Sequence, residues 1–220
     1  MHRKSLPIIC VGVLLLILLV LSSSCATHQI NEPPTYHYTL EYEPPVFSDL
    51  PVLATTLRVT PFESAPEFDT DRIIYKTGKY TLASYHYRAW MAKPSDQVQY
   101  FLERDLQRSG LLLAVLSDSS RFRPAYLLSG SVEKFLEVDE GDHWDAELAL
   151  DIILQRMPQG KGMAKVLGQR HYSMRKTCTH KKPRAVAEAM SLAMAELSKQ
   201  IQQDIYDLIK NDLAERPKGE

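Results

Sequence analysis

"YLLSGSVEKFLEVDEGDHWDAELALDIILQR" (residues 126–156) holds two long strands, 126–138 and 144–156, joined by the acidic turn Asp139-Glu140-Gly141-Asp142. The second strand alternates without a break. Trp144, Ala146, Leu148, Leu150, Ile152 and Leu154 fall on one face, and Asp145, Glu147, Asp151 and Gln155 on the other, with Ala149 and Ile153. A period of two sets the first group against a core and leaves the second largely wet, the pattern of an antiparallel sheet covered on one side.

Toward the carboxyl end, "MPQGKG" (residues 157–162) turns the chain into a further strand at about 164–174. A helix over about 184–214 follows, with Val186, Met190, Ala193, Leu197, Ile201, Ile205, Leu208 and Leu213 at helical spacing. At 1.5 Å per residue it is about 45 Å long, enough for its last turns to outrun the domain. Toward the amino end, "LATTLRVTPF" (residues 53–62) reads as a strand with Leu57 and Val59 on one face, and residues 72–75 and 80–85 flank Thr77-Gly78-Lys79 as a hairpin. "AKPSDQVQYFLERDLQRSG" (residues 92–110) is a helix. Pro94, Ser95 and Asp96 favour its first turn, Val98, Phe101, Leu102 and Leu106 form its apolar stripe, and Gly110 supplies the residue past its end. "LLLAVL" (residues 111–116) follows as a short buried strand, parallel to 53–62 across a crossover that contains the helix. The fold class expected is α/β, a mixed sheet with one parallel crossover plus an antiparallel meander and two main helices packed on it.

The chain has 220 residues, with 26 Lys and Arg against 27 Asp and Glu. No basic excess is present to neutralise a phosphate backbone, which argues against nucleic acid as a partner. Near the amino end "LLILLVLSSSCATHQ" (residues 15–29) follows Arg3 and Lys4. Its apolar run, residues 8–21, is about 14 long, where a membrane span needs roughly 20, so export is the favoured reading. The segment resembles a bacterial lipoprotein signal, in which the cysteine is diacylated on sulfur, freed by cleavage at its amino side and often acylated again on nitrogen. That makes Cys25 the expected lipidation site. Leu21 stands four residues before Cys25, and the position three before, usually leucine, is Ser22. Two other readings stay open: Ser24-Cys25-Ala26 as an ordinary small-x-small cleavage site, or an uncleaved short anchor.

The expected organisation is a signal at 1–24, a lipidated tether at 25–35, a domain at 36–214 and a flexible tail at 215–220. The tether is polar and ends in Pro33-Pro34, and Pro44, Pro45 and Pro51 keep the next segment extended. Nine or so residues at about 3 Å each hold the domain up to roughly 30 Å from the lipid surface. "YHYTLEY" (residues 36–42) alternates as an edge strand does. With Cys10 in the signal core and Cys25 lipidated, Cys178 has no partner for an intramolecular disulfide.

No GxSxG, HExxH, CxxC or Gly-rich phosphate fingerprint occurs, and Gly160-Lys161-Gly162 lacks the rest of a P-loop. No cofactor is expected. Cys178-Thr179-His180 offers two metal ligands where a zinc site needs three or four. "EVDEGDHWD" (residues 137–145) is rich in oxygen donors without the alternation of a calcium loop, and reads as a hairpin tip. Tyr85, Tyr87, Trp90 and Met91 form an aromatic cluster before the first helix, able to line a groove for acyl chains or simply to pack in the core. "RKTCTHKKPR" (residues 175–184), with Lys176, Lys181 and Lys182, offers positive charge to anionic headgroups or an acidic partner; the plainer reading is a wet loop before a helix.

Taken in order, "YTLEYEPP", "LRVTPFESAPEFDTDRIIYKTGKYTLASYHYRAW", the Pro-started helix ending "DLQRSGLLLAVL", "YLLSGSVEKFLEV" and "WDAELALDIIL" resemble the ABC-type transport auxiliary lipoprotein component family over residues 36–209. The resemblance implies a mixed sheet with packed helices, similar in outline to anticodon-binding-like domains. It further implies an envelope lipoprotein without a catalytic set, partnering an ABC transporter and proteins with mammalian-cell-entry domains in moving phospholipids or other hydrophobic molecules. Docking further copies of the same chain is part of that expectation. Ala26 rather than Asp after the cysteine points to the periplasmic face of the outer membrane. A carrier that binds lipid in its own cavity is the alternative.

Overall fold

In chain order the elements are β1 (Tyr36–Tyr38), β2 (Leu53–Val59), β3 (Glu63–Ser64), a single 3-10 turn (Pro66–Phe68), β4 (Arg72–Gly78), β5 (Thr81–Trp90), α1 (Pro94–Ser109), β6 (Leu112–Leu116), β7 (Tyr126–Asp139), β8 (Trp144–Arg156), β9 (Lys165–Thr177) and α2 (Pro183–Glu215). The structure is a computed structural model that describes residues 33–216 apart from 159 and 161. The chain divides into Met1–Pro34 and Thr35–Glu220, and the second unit carries these elements. The expected signal, Cys25, almost all of the tether and the end of the tail lie outside the described residues.

Strand β7 is the spine of a mixed nine-stranded sheet. Along one edge it pairs antiparallel with β8 from Tyr126↔Arg156 to Asp139↔Trp144, and β9 continues that meander. Its other edge is shared by three parallel partners: β2 at Leu127, β3 at Ser131 and β4 at Glu137. From there the sheet forks. Strand β6 adds parallel to β2 across the α1 crossover, as the sequence implies, and β5 and then β1 extend the β4 branch. Parallel pairing is therefore more extensive than one crossover, because a strand of 14 residues is long enough for several short strands to share its edge.

The two-residue alternation of β8 holds, with Ala146, Leu148, Leu150, Ile152 and Leu154 all buried. Its second face is less wet than expected, since Asp145 is buried and paired with Arg175 at 3.1 Å. Strand β7 changes phase partway. Tyr126, Leu128 and Val132 face the main core, the register slips by one between Val132 and Lys134, and beyond it Phe135 and Glu137 face inward opposite Leu148 and Ala146. Leu136 and Val138 are left to a small second cluster with Phe68 and Ile74.

Strand β2 stops at Val59, three residues short of the sequence reading, because Pro61 cannot donate to a ladder. Phe62 then packs over Gly130, where a Cβ would stand 2.6 Å from its ring and 2.5 Å from the Asp151 carbonyl oxygen. Helix α1 begins at Pro94 and ends at Gly110 in the left-handed conformation (φ 66°), which glycine adopts without a Cβ penalty. Its stripe of Val98, Phe101, Leu102 and Leu106 is buried. Helix α2 buries Val186, Met190, Ala193, Leu197, Ile201, Ile205 and Ile209 over β8 and β9. Its last turns do not outrun the domain: Asp212 is buried and accepts from Tyr126 at 2.9 Å and Arg156 at 3.1 Å. Those donors and the charges of the two arginines beside it outweigh burial and hold the carboxyl below its usual range.

Candidate functional site

The segment that follows the tether is fastened to the domain by a ladder of contacts. Tyr36–Tyr38 pairs parallel with Arg88, Ala89 and Trp90 at the sheet edge, and Tyr38 accepts a hydrogen bond from Met91 N–H at 2.7 Å. The Arg88 guanidinium lies 4.4 Å from the ring centroid of the half-exposed Tyr36. Past β1 the chain runs onto the helices. Leu40 is buried, its N–H donates to Gln97 Oε1 at 3.3 Å, and the next N–H, of Glu41, donates to Ser191 Oγ at 3.0 Å. Farther on, Tyr206 donates to the Pro51 carbonyl at 3.0 Å.

At the centre of this strap is Asp105, fully buried between α1 and α2. Its Oδ2 accepts from Tyr42 at 2.7 Å and from Ser198 at 2.6 Å, while Arg104 donates to Oδ1 through Nε and a terminal nitrogen at 2.8 and 2.6 Å. Gln202 extends the chain by donating to Ser198 Oγ at 3.1 Å. A buried carboxylate is tolerable when paired and donated to from several sides, as here. Burial, with the Asp105 charge beside it, pushes the Tyr42 hydroxyl well above its usual value, so it stays a donor. The Arg104 plane lies 4.5 Å from the Tyr42 ring centroid and closes the arrangement. This site binds chain to chain. Both Asp105 oxygens and the Tyr42 and Ser198 hydroxyls in it are occupied.

A second polar cluster sits where β7 meets β8. Glu137 is 1 % exposed, and Tyr85 donates to its two oxygens at 3.0 and 3.1 Å. Burial pushes its carboxyl up to about 7, against the opposing Tyr85 hydrogen bond. Lys181 reaches the same end, donating to Asp139 at 3.2 Å and to the Gly141 carbonyl at 2.9 Å. The structure thus brings Tyr85 and Lys181 to one place. Lys176 pairs instead with Glu196 on α2, and the exposed Lys182 precedes the first residue of that helix. Tyr87 lies half-buried farther along β5. Trp90 leaves the expected cluster altogether: β5 continues through it, it is 1 % exposed, and it packs edge-on against Phe135 with centroids 4.9 Å apart. It offers no surface to a partner or an acyl chain.

The acidic turn is a hairpin tip. Its oxygens are engaged locally, Asp139 accepting from Gly141 N–H at 2.9 Å and Asp142 from His143 N–H at 2.9 Å. Cys178 is buried, and burial with the Glu137 and Asp145 charges pushes its thiol up to about 12, which keeps it from acting as a thiolate. Among the described residues, no three His, Cys, Asp or Glu side chains converge to hold a metal ion, and no helix is long and apolar enough to cross a membrane.

The strap was absent from the sequence reading, although its signal is there. Asp105 interrupts the apolar stripe of α1, four residues after Phe101, and Ser198 and Gln202 do the same in α2 beside Leu197 and Ile201. Polar residues in register on two apolar faces point at each other.

Comparison with known proteins places this architecture. The chain is 19 % identical to a protein of known structure from Xanthomonas campestris, which aligns over 82 % of this chain and 99 % of its own with a TM-score of 0.74. An uncharacterized protein of known structure aligns at 14 % identity over 74 % of this chain and 99 % of its own with a TM-score of 0.57. A hypothetical protein from Chlamydia trachomatis aligns at 7 % identity over 71 % and 98 % with a TM-score of 0.52. At such identities these likenesses speak for the fold. No curated protein matches the chain. The family model described as ABC-type transport auxiliary lipoprotein component matches residues 38–202, from the last residue of β1 into α2, and so takes in both the strap and the sheet. The chain belongs to the ABC-type transport auxiliary lipoprotein component family.

Proposed function

We propose that the chain is a non-catalytic, lipid-anchored accessory subunit of an ABC-type transporter that moves phospholipid or other hydrophobic molecules between membranes. In this reading it works beside mammalian-cell-entry domain proteins on the periplasmic face of the outer membrane. The observation that carries the reading is the family match over residues 38–202 in a chain whose Cys25 follows a signal-like apolar run. Residues 1–24 serve as the signal, 25–35 as the tether, 36–214 as the working domain and 215–220 as a tail.

The strap supports a positioning role. A domain held by acyl chains on Cys25 receives any pull at its amino end, and that pull is spread over β5, α1 and α2 through β1, Leu40 and Tyr42. The sheet edges and helices then dock the transporter partners or further copies of the chain. The alternative, a carrier with its own lipid cavity, draws less support from the aromatic cluster and the terminal helix. Trp90 is packed on Phe135, and the apolar face of α2 is used on β8 and β9.

Deleting the chain, with the transporter ATPase and mammalian-cell-entry protein still present, should slow exchange of labelled phospholipid between the two membranes. The Cys25→Ala form at equal abundance should not restore it. Exchange at the undiminished rate in the deletion would overturn the proposal.

A further inference from the structure

At the end of the molecule where α2 finishes, an open cavity of about 650 Å³ lies beside the β7 start and the β8 end. Arg123, Arg156, Lys165 and Arg216 line it, and among its described lining residues none is acidic. Three of these cations converge on a single carboxylate. Arg156, Arg216 and Lys165 place nitrogens 3.1, 3.2 and 4.0 Å from Asp212 oxygens. One charge on Asp212 therefore faces three, and Arg123 adds a fourth cation to the cavity wall, in a chain whose net charge is only −1. Arg216 also donates to the Tyr126 hydroxyl at 2.7 Å, and its Nε is buried with no partner among the described residues. Buried, unmatched donors and a local excess of positive charge are what an anion relieves.

We propose that this cavity binds a phosphate group, with the arginines donating to its oxygens and Lys165 adding charge at the mouth. Guanidinium groups suit that ligand because their paired N–H donors match phosphate oxygens. The lining also carries an apolar side chain in water: Met163 is 94 % exposed, and Met157 lies on the same wall. A phosphate borne on a hydrophobic molecule gains from both features, and free phosphate only from the first. This binding goes beyond the transport reading and does not depend on it, since it is a property of the cavity.

The test is calorimetric titration of the full-length protein in neutral detergent at low ionic strength, with inorganic phosphate in one arm and six-carbon phosphatidic acid in the other. Saturable one-to-one binding is expected, and Arg123→Gln with Lys165→Gln should weaken it at least tenfold. Both side chains are exposed, so the fold should survive. Lys79→Gln with Lys199→Gln, which removes the same charge elsewhere, should leave affinity within twofold. Tighter binding of the phosphatidic acid identifies a lipid headgroup as the source, and equal binding identifies free phosphate. No saturable binding in either arm, or equal weakening by the two double variants, overturns the proposal.

Discussion

The Tyr42 hydroxyl donates to Asp105 at 2.7 Å, joining the segment that follows the tether to a carboxylate buried between two helices. Because Ser198 and Arg104 donate to the same carboxylate, removing the acceptor harms more than removing one donor. Asp105→Ala should cost about 3 to 5 kcal/mol, the penalty for stranding a buried ion-pair partner. Tyr42→Phe should cost about 1 to 3 kcal/mol, the range for hydrogen bonds to charged groups. Urea unfolding reads both. Equal losses would contradict the shared-acceptor geometry.

Tyr42→Phe should also loosen the strap ahead of the domain. Amide hydrogen exchange over residues 39–51 should quicken while the amides of β7 and β8 keep their protection. Uniform acceleration across the sheet would show that the strap is not a separate fastening.

Gly130 should not tolerate a side chain. A Cβ there meets the Phe62 ring and the Asp151 carbonyl oxygen, one of them backbone that cannot swing away. Gly130→Ala should therefore cost about 1 to 3 kcal/mol by overpacking. Phe62→Leu in the same chain should recover part of that loss, a coupling measurable by a double-mutant cycle.

Glu137 should make stability fall as pH rises. Its carboxyl titrates at about 7 in the fold and at 4.5 in an unperturbed chain. Between those values the folded protein holds a proton that the unfolded chain has released, so stability declines through the window and levels off above it. At 1.36 kcal/mol per pH unit the decline is on the order of 3 kcal/mol. Glu137→Gln should remove it, matching the parent near pH 5 and exceeding it at pH 8. Parallel urea midpoints for the two proteins across that range would contradict the buried-carboxylate account.

What the sequence shows of this fold depends on how local the cause is. The hairpin of β7 and β8, the stop of α1 at Gly110 and the stripe of α2 rest on period and on capping residues, all within a few positions of one another. The slip beyond Val132 is different. It follows from how β7 meets its neighbours, and it turns Glu137 rather than Leu136 and Val138 toward the main core. Aromatic residues at 85, 87 and 90 read as a cluster because they are close in sequence, yet a strand sends Tyr85 to Glu137 and Trp90 to Phe135. The convergence of Arg123, Arg156, Lys165 and Arg216 joins positions spread over more than ninety residues, which no local pattern records.

Cys25 should carry the anchor. Intact mass of the mature protein should show acyl chains on an amino-terminal Cys25, and Cys25→Ala should leave the precursor uncleaved or release an unlipidated form. A mature protein beginning at Thr27 would contradict lipidation.

The most direct test of the accessory-subunit account is to purify the full-length chain from gently solubilised membranes and identify what comes with it. The account predicts an ABC-type ATPase and permease together with a mammalian-cell-entry domain protein, all reduced when Cys25→Ala replaces the parent. Recovery of the lipidated chain with none of these proteins would contradict it.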